Sequence, residues 1–310
     1  MSKKIALLFS GQGAQSVGMG KDLCEAFPAA AELFKKADSL LPFELSKYAF
    51  EGPAEELTKT AFCQPALYVH GLACLAALKS RLPSLQFQAV AGLSLGEFTA
   101  HAAAGTFDFE TGLDLVAKRA AYMQRACEET QGSMAAMIGA EENSVRDLAA
   151  ATDVDIANLN CPGQIVVSGE SSKVAMAVSL AKEYGVRRAT ELNVAGAFHS
   201  RLMESAYEKL KEKLDVTPML VPQATVVCNV DAIPVSSAED IRRTLADQVT
   251  GSVRWTESVE YLLDHLKCDT FLELGPGGII AGLVGRIRKG TSVISISNVA
   301  ELEEAVQALS

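Results

Sequence analysis

The sequence predicts an α/β fold with a mostly parallel sheet, and a small second domain inserted into the larger one. Short apolar strand patterns alternate with helical patterns before residue 130 and after residue 195, which favours a parallel sheet with helices on both faces. Residues 132–194 instead follow the order β-α-β-β-α-β, which is typical of a ferredoxin-like unit. A chain of 310 residues with 49% hydrophobic content is long enough to bury both cores.

The first segment of the large domain opens on an apolar strand pattern at residues 4–9. This stretch is too short for a signal peptide and runs directly into a glycine-punctuated loop at 11–15, so a buried strand is the better interpretation. The periodicity of the following residues predicts helices at about 20–40, 53–59 and 64–80, a strand at 88–91, and helices at 96–104 and 108–126.

The middle and last segments complete the two domains. The middle segment is predicted to contain strands at 134–138, 154–158, 164–168 and 187–192, with helices at 141–150 and 171–184. The last segment is predicted to contain helices at 203–214, 237–249 and 255–266, strands at 224–228 and 270–274, and a helical C-terminus. We therefore place a small domain at residues 130–195 and a discontinuous large domain at 1–129 and 196–310.

The most informative motif lies between the strand at 88–91 and the helix at 96–104, where residues 92–96 are Gly-Leu-Ser-Leu-Gly. A G-x-S-x-G sequence in a strand-to-helix turn is the pattern of a nucleophile elbow. Such a turn holds Ser94 in strained backbone angles that require flanking glycines, and it exposes the hydroxyl at the start of a helix. The pentapeptide alone is a weak signal. Its position between a strand and a helix favours a nucleophile elbow over a structural glycine-rich turn.

A serine nucleophile needs a base, and histidine suits neutral pH. Three of the four histidines, His70, His101 and His265, lie within helical patterns, where packing or solvent exposure is the ordinary role. His199 lies instead in a glycine-containing loop, where catalytic side chains are commonly held. Its place after Ser94 in the chain matches the serine-then-histidine order of the α/β-hydrolases.

The composition argues against several classes of function. The formal net charge of −10 disfavours non-specific binding to nucleic acid or to an anionic membrane. The seven cysteines are odd in number, widely spaced and without a CxxC pair, which indicates a reducing, cytoplasmic compartment and no metal site. No apolar run approaches the ~18 residues of a transmembrane helix, so none is expected.

Five motifs, spread over most of the chain, resemble the malonyl-CoA:acyl carrier protein transacylase family of type II fatty-acid synthesis. They are Phe-Ser-Gly-Gln-Gly-Ala-Gln at 9–15, Gly-Leu-Ser-Leu-Gly-Glu at 92–97, Gly-Ala-Phe-His-Ser-Arg-Leu-Met at 196–203, Asn-Val-Asp at 229–231 and Gly-Pro-Gly at 275–277. The five together are specific, whereas any one alone is not. The resemblance implies an α/β-hydrolase-like large domain with a ferredoxin-like insertion, in agreement with the pattern of elements.

The resemblance also implies an activity, the transfer of a malonyl group from malonyl-CoA to the phosphopantetheine thiol of acyl carrier protein. Ser94 matches the nucleophile that carries the malonyl ester, and His199 matches the general base. The backbone N–H groups of Gln12 and Leu95 match the oxyanion hole. Arg119 matches the arginine that pairs with the free malonyl carboxylate, and a planar guanidinium can hold a carboxylate through two parallel hydrogen bonds.

The same resemblance gives weaker predictions for three further positions. Gln248 matches a residue that orients the histidine by hydrogen bonding in place of an acid, and Gln164 matches a residue that lines the cleft between the domains. For either glutamine, a purely structural hydrogen-bonding role remains open. Leu93 stands where many members carry histidine, and we expect it to line the acyl site without acting as a base.

Two other functions also remain open. A serine esterase or thioesterase on the same fold would need an acid between Ser94 and His199 and often an HGGG loop; the loop is absent, and Asp153 and Asp155 are poorly placed. A non-catalytic module that docks carrier proteins has no reason to keep Ser94, His199 and Arg119 together. The expected enzyme needs no cofactor, acts as a monomer, and has malonyl-CoA and acyl carrier protein as its partners.

Overall fold

The structure, a computed structural model, describes residues 3–310 and alternates strands with helices along most of that length. The strands are β1 (Ile5–Phe9), β2 (Ala89–Gly92), β3 (Gly132–Ile138), β4 (Asp155–Cys161), β5 (Gln164–Glu170), β6 (Arg188–Glu191), β7 (Thr225–Val227), β8 (Thr270–Leu274) and β9 (Val293–Ile296). The α-helices are α1 (Lys21–Ala26), α2 (Pro28–Leu40), α3 (Leu45–Glu51), α4 (Ala54–Thr58), α5 (Thr60–Arg81), α6 (Leu95–Ala103), α7 (Phe109–Glu129), α8 (Glu142–Thr152), α9 (Ser171–Leu180), α10 (Glu204–Asp215), α11 (Ala238–Asp247), α12 (Trp255–Asp264), α13 (Ile279–Ile287) and α14 (Val299–Leu309).

The larger sheet is parallel, with the strand order β7-β2-β1-β8-β9. Its central strand β1 lies between β2 and β8, so that Leu7 pairs with Val90 on one side and with Leu272 on the other. Every residue of β1 is apolar and buried, as expected for a strand with helices on both faces. The predicted parallel α/β class is confirmed, and the loops that leave β1 and β2 meet at the carboxyl edge of the sheet.

The smaller sheet is antiparallel, with the strand order β4-β5-β3-β6. Its strands and helices follow one another as β3, α8, β4, β5, α9 and β6, which is the order predicted from the sequence. A second core of apolar residues lies between these helices and this sheet, and includes Met137, Val145, Leu148, Val167 and Val174. The two-part fold is therefore confirmed, while the exact domain boundaries at residues 130 and 195 stay a prediction.

Backbone hydrogen bonds tie the small sheet to the large domain. Asn158 of β4 forms a parallel bridge with Val253, which lies between α11 and α12. The Leu159 N–H donates to the Val253 carbonyl at 2.9 Å, and the Val253 N–H donates to the Ala157 carbonyl at 2.8 Å. This attachment fixes β4 beside the segment that also carries Gln248.

Helix α5 runs through the core of the large domain. Among the residues described, it is the helix that is long and apolar enough to cross a membrane, yet 78% of its apolar window is buried inside the protein. It packs against α2, α6 and α7. Its apolar character is therefore explained by burial in the core, with Tyr68, Val69 and Leu78 all fully covered.

Two elements and one boundary differ from the sequence-based expectation. The C-terminal region is not entirely helical, because β9 pairs in parallel with β8 before α14 begins. Its four residues at the edge of the sheet are too few to give a clear strand periodicity. Helix α3 was not predicted. The single helical pattern at 20–40 is divided into α1 and α2 at Phe27, because Pro28 favours the first position of a new helix over the interior of a continuous one.

Candidate active site

Ser94 lies in the turn between β2 and α6, at the carboxyl edge of the parallel sheet. Its backbone angles, φ 52° and ψ −107°, lie outside the regions that residues with a side chain ordinarily adopt. A Cβ on Gly92 would lie 1.9 Å from the carbonyl carbon of Gly96, and a Cβ on Gly96 would lie 2.2 Å from the carbonyl oxygen of Phe9. Only glycine fits at both places, so the turn has the geometry of a nucleophile elbow.

The hydroxyl of Ser94 contacts His199, with 2.8 Å between Ser94 Oγ and His199 Nε2. The other ring nitrogen, Nδ1, lies 2.7 Å from the backbone carbonyl oxygen of Gln248. Because a carbonyl can only accept, Nδ1 carries the proton, and Nε2 is the acceptor for the serine hydroxyl. Burial, together with the charge of Arg119, lowers the pKa of His199 to about 4, so the imidazole is neutral at pH 7 and able to take a proton.

The guanidinium of Arg119, on α7, reaches the same hydroxyl although the residue is only 1% exposed. Its Nη2 donates to Ser94 Oγ at 3.0 Å and to Gln248 Oε1 at 2.8 Å, and its Nη1 donates to Gln64 Oε1 at 2.7 Å. Nε has no partner among residues 3–310. Burial lowers the pKa of Arg119 to about 10, so the group stays charged at neutral pH. A buried cation with an unused donor suits an anionic ligand such as a carboxylate.

Buried polar groups from distant parts of the chain hold the elbow in place. Asn229 Oδ1 accepts a hydrogen bond from the Ser94 N–H at 2.7 Å, and Asn229 Nδ2 donates to the Gly92 carbonyl at 2.8 Å. Gln248 Nε2 donates to the Ser94 carbonyl at 2.9 Å and to a carboxylate oxygen of Glu97 at 2.6 Å. The strained turn is therefore fixed by hydrogen bonds to both its N–H and carbonyl groups.

The loop after β1 packs directly against the elbow. A Cβ on Gly11 would lie 2.4 Å from the carbonyl oxygen of Leu93, so this close approach requires glycine. Leu95 opens α6, where the N–H groups of the first turn have no partner within the helix. Gln12 and Leu95 line the same cavity as Ser94, and their role as the oxyanion hole stays a prediction.

The site opens on a cavity of about 180 Å³ where the two domains meet. We call the following residues its large-domain wall: Gln12, Gln64, Leu93, Ser94, Leu95, Arg119, Met123, Phe198 and His199. We call the following residues its small-domain wall: Met134, Asn158, Asn160, Val166, Leu192 and Val194. The reactive groups therefore line the space that a small acyl group would occupy.

Two of the sequence-predicted residues take positions that the sequence did not specify. Gln248 supports His199 through its backbone carbonyl, and its side chain contacts Arg119 instead. Gln164 is not brought into the cavity. It begins β5, and its Oε1 accepts a hydrogen bond from Arg286 of α13 at 2.5 Å, so it joins the two domains. Leu93 lines the cavity, as expected.

Three residues of the site have no role in the sequence analysis. Gln64 contacts Arg119 across 55 residues of chain, and no local pattern marks it. Glu97 and Asn229 both lie inside motifs that carry the family resemblance, and this is the only signal in the sequence that points to them. Their hydrogen bonds to the elbow depend on contacts between distant segments, which a single sequence does not reveal.

An activated serine in an elbow, a neutral histidine and a nearby helix N-terminus define the class of enzymes that form an acyl ester on serine. The sequence agrees with this class over most of its length, because the family described as "Acyl transferase domain" matches residues 6–276. The chain belongs to the acyl transferase domain family.

Individual relatives cover nearly the whole chain. A malonyl CoA-acyl carrier protein transacylase from Bacillus subtilis (strain 168) is 42% identical, over 99% of this chain and 97% of the relative. The crystal structure of an acyl-carrier-protein S-malonyltransferase from Bartonella henselae is 38% identical, with a TM-score of 0.94 over 99% of each chain. A malonyl-transacylase in complex with its type II polyketide acyl-carrier protein is 36% identical, with a TM-score of 0.93 over 99% of this chain and 100% of that chain.

Proposed function

We propose that this enzyme transfers a malonyl group from malonyl-CoA to the phosphopantetheine thiol of acyl carrier protein, through a malonyl ester on Ser94. The observation that carries the proposal is the convergence of two groups on one hydroxyl. Ser94 Oγ lies 2.8 Å from a basic imidazole nitrogen and 3.0 Å from a buried guanidinium. The relatives named above support the substrate and the acceptor, because their names specify malonyl CoA and acyl carrier protein.

In the first half-reaction, Ser94 Oγ attacks the thioester carbonyl carbon while His199 Nε2 takes the hydroxyl proton. The negative charge that develops on the carbonyl oxygen is stabilised by the backbone N–H groups of Gln12 and Leu95. When the tetrahedral intermediate collapses, the carbon–sulfur bond breaks, and the CoA sulfur leaves with the proton from His199. The products are free CoA and malonyl-Ser94.

The second half-reaction reverses these roles with a different thiol. The phosphopantetheine thiol of the carrier protein gives its proton to His199 Nε2, and its sulfur attacks the ester carbonyl carbon. The bond from that carbon to Ser94 Oγ breaks, and the serine oxygen regains the proton from His199. The hydrogen bond from His199 Nδ1 to the Gln248 carbonyl keeps the imidazole in one tautomer throughout.

Arg119 gives the reaction its preference for a diacid thioester. Its charge is buried, and its Nε has no partner among residues 3–310. The distal carboxylate of a malonyl group would supply that partner and compensate the charge, whereas an acetyl group would do neither. A buried site built to bind a polar group rejects analogues that lack it.

The proposal also covers the environment of the enzyme. We propose a cytoplasmic monomer that needs no cofactor and has no nucleic-acid or membrane partner. The net charge of −10 supports the absence of polyanion binding, and burial in the core accounts for the long apolar helix α5. The oligomeric state can be tested by measuring the mass in solution by light scattering.

Rapid mixing of the enzyme with malonyl-CoA tests the transfer mechanism. We expect a burst of one equivalent of free CoA and a mass increase of one malonyl group that persists until holo acyl carrier protein is added. Continuous CoA release without a persistent label would instead identify a thioesterase. The absence of both burst and label would indicate a module that docks the carrier protein without reacting.

A further inference from the structure

Glu97 has a buried carboxyl group that the reaction described above does not use. It lies one turn after Ser94 on α6 and has no exposed surface. One of its oxygens, Oε2, accepts hydrogen bonds from the Asn229 N–H at 3.0 Å and from Gln248 Nε2 at 2.6 Å. The other oxygen, Oε1, has no partner among residues 3–310. Burying such a group is unfavourable unless its contacts compensate, so its two partners are informative.

Both partners of Glu97 hold reacting groups. Asn229 bonds to the Ser94 N–H and to the Gly92 carbonyl, on the two sides of the elbow. Gln248 holds His199 through its carbonyl and Arg119 through Oε1. A single carboxylate oxygen therefore joins the two loops that position the nucleophile, the base and the guanidinium.

The orientation of the Gln248 amide is the critical point. Arg119 can only donate, so it needs the amide oxygen of Gln248 to face it. Glu97 Oε2 can accept the amide N–H and thereby keeps the nitrogen on the opposite side. Without this acceptor, fewer groups resist a rotation of the amide that would turn an N–H group toward the guanidinium.

We propose that Glu97 is a positioning residue for acyl selection, which acts on Arg119 through the side-chain amide of Gln248. The proposal rests on the proposed function, because it assumes that Arg119 binds the malonyl carboxylate. Glu97 touches neither substrate nor reacting atoms in this arrangement. Its effect should therefore be larger for malonyl-CoA, which needs an aligned guanidinium, than for acetyl-CoA, which does not.

Glutamine and alanine at this position separate hydrogen bonding from simple burial. Glu97→Gln keeps a carbonyl oxygen that can accept both hydrogen bonds, whereas Glu97→Ala removes the acceptor. We expect Glu97→Ala to lower the malonyl-to-acetyl ratio of kcat/KM by about tenfold, the scale of one lost buried hydrogen bond. Glu97→Gln should restore the ratio to within about threefold of wild type, since it retains that bond.

His101→Ala is the matched control, because His101 is also buried on α6 but its side chain, within residues 3–310, hydrogen-bonds only to Thr106 Oγ1, at 3.0 Å. It should lower the thermal unfolding midpoint without changing the malonyl-to-acetyl ratio. If Glu97→Ala fails to fold, Glu97→Asp replaces it. The shorter Asp side chain draws the carboxylate away from the amide of Gln248, and the same fall in the ratio is expected.

Two results would overturn the proposal. One is a ratio that stays at the wild-type value in folded Glu97→Ala or Glu97→Asp, and the other is a fall in Glu97→Gln as large as in Glu97→Ala. Failure of the proposed function is distinguishable, because wild-type enzyme would then acquire no malonyl label. If wild type is labelled and Arg119→Ala changes the ratio while the Glu97 variants do not, only the inference about Glu97 fails.

Discussion

The two walls of the cavity differ in how their polar groups are connected to one another. In the large-domain wall, Ser94 contacts His199 and Arg119, and Arg119 also contacts Gln64. The small-domain wall is largely apolar, and the buried Oδ1 of Asn160 has no partner among residues 3–310. The large-domain wall is organised before a substrate binds, which is what efficient acyl transfer requires. We infer that the large-domain wall performs the chemistry and the small-domain wall shapes the space around the acyl group.

The strongest test of this contrast is removal of the nucleophile. Ser94→Ala should lower the transfer rate by about 10⁴-fold or more, because no other group in the large-domain wall can form the acyl ester. The measurement is the mass of the protein after incubation with malonyl-CoA, together with the rate of transfer to holo acyl carrier protein. Full labelling of the folded variant would show that another residue carries the malonyl group.

The next test removes the buried charge. Arg119→Ala should lower the malonyl-to-acetyl ratio of kcat/KM by roughly 10²-fold, the scale of a lost buried charge pair. Arg119→Lys is the matched control, since it keeps a cation but loses the planar fork, and should give a ratio between those of Arg119→Ala and wild type. Equal losses for both acyl groups in Arg119→Ala would mean that Arg119 does not recognise the carboxylate.

The pH dependence tests whether the large-domain wall keeps its histidine neutral. The pKa of His199 is lowered to about 4 by burial and by Arg119, so kcat/KM for acetyl-CoA should stay level below pH 7 and fall only near pH 4. Acetyl-CoA is used because it has no carboxylate that titrates in this range. An acid limb near the ordinary histidine pKa of about 6.5 would contradict the buried, neutral imidazole.

The same depressed pKa of His199 affects stability. Between about pH 6.5 and pH 4 the unfolded chain binds a proton that the folded site excludes, so this group lowers the free energy of unfolding as the pH falls. Circular dichroism at each pH shows whether the enzyme is still folded where its activity declines. A loss of structure that coincides with the loss of activity would mean that the acid limb reports unfolding.

The smallest effect is expected from the small-domain wall. Val166→Ala removes two buried methyl groups and should lower the free energy of unfolding by about 1–2 kcal/mol. Its kcat/KM should change by less than about fivefold, and equally for malonyl-CoA and acetyl-CoA, since the apolar side chain of Val166 has no group that can bind a carboxylate. A change in acyl preference as large as that of Arg119→Ala would show that both walls contribute to the selection of the acyl group.

Much of the fold was predictable because it depends on local patterns. The alternation of strands and helices indicates the parallel sheet, and the glycines of residues 92–96 indicate the elbow, since the turn leaves no space for a Cβ. Strand β9 was not predicted because four residues at a sheet edge show too little periodicity. Its pairing with β8 is a tertiary contact, which a local sequence pattern does not reveal.

The site was predictable only where a motif marked it. Ser94 and His199 were chosen from local context, and the structure places them in contact. For Gln248 the family resemblance implies hydrogen bonding to the histidine but not that the backbone carbonyl forms the bond. Gln64 is linked to Arg119 only through the fold, and a single sequence contains no information on such a pair.

The backbone bridge between Asn158 and Val253 has a mechanical consequence. Moving the small domain away from the large domain would break the two hydrogen bonds of 2.9 Å and 2.8 Å that flank this bridge. The bridge therefore opposes a widening of the cleft at β4, and we expect branched or bulky acyl chains to fit less well than the unbranched malonyl group.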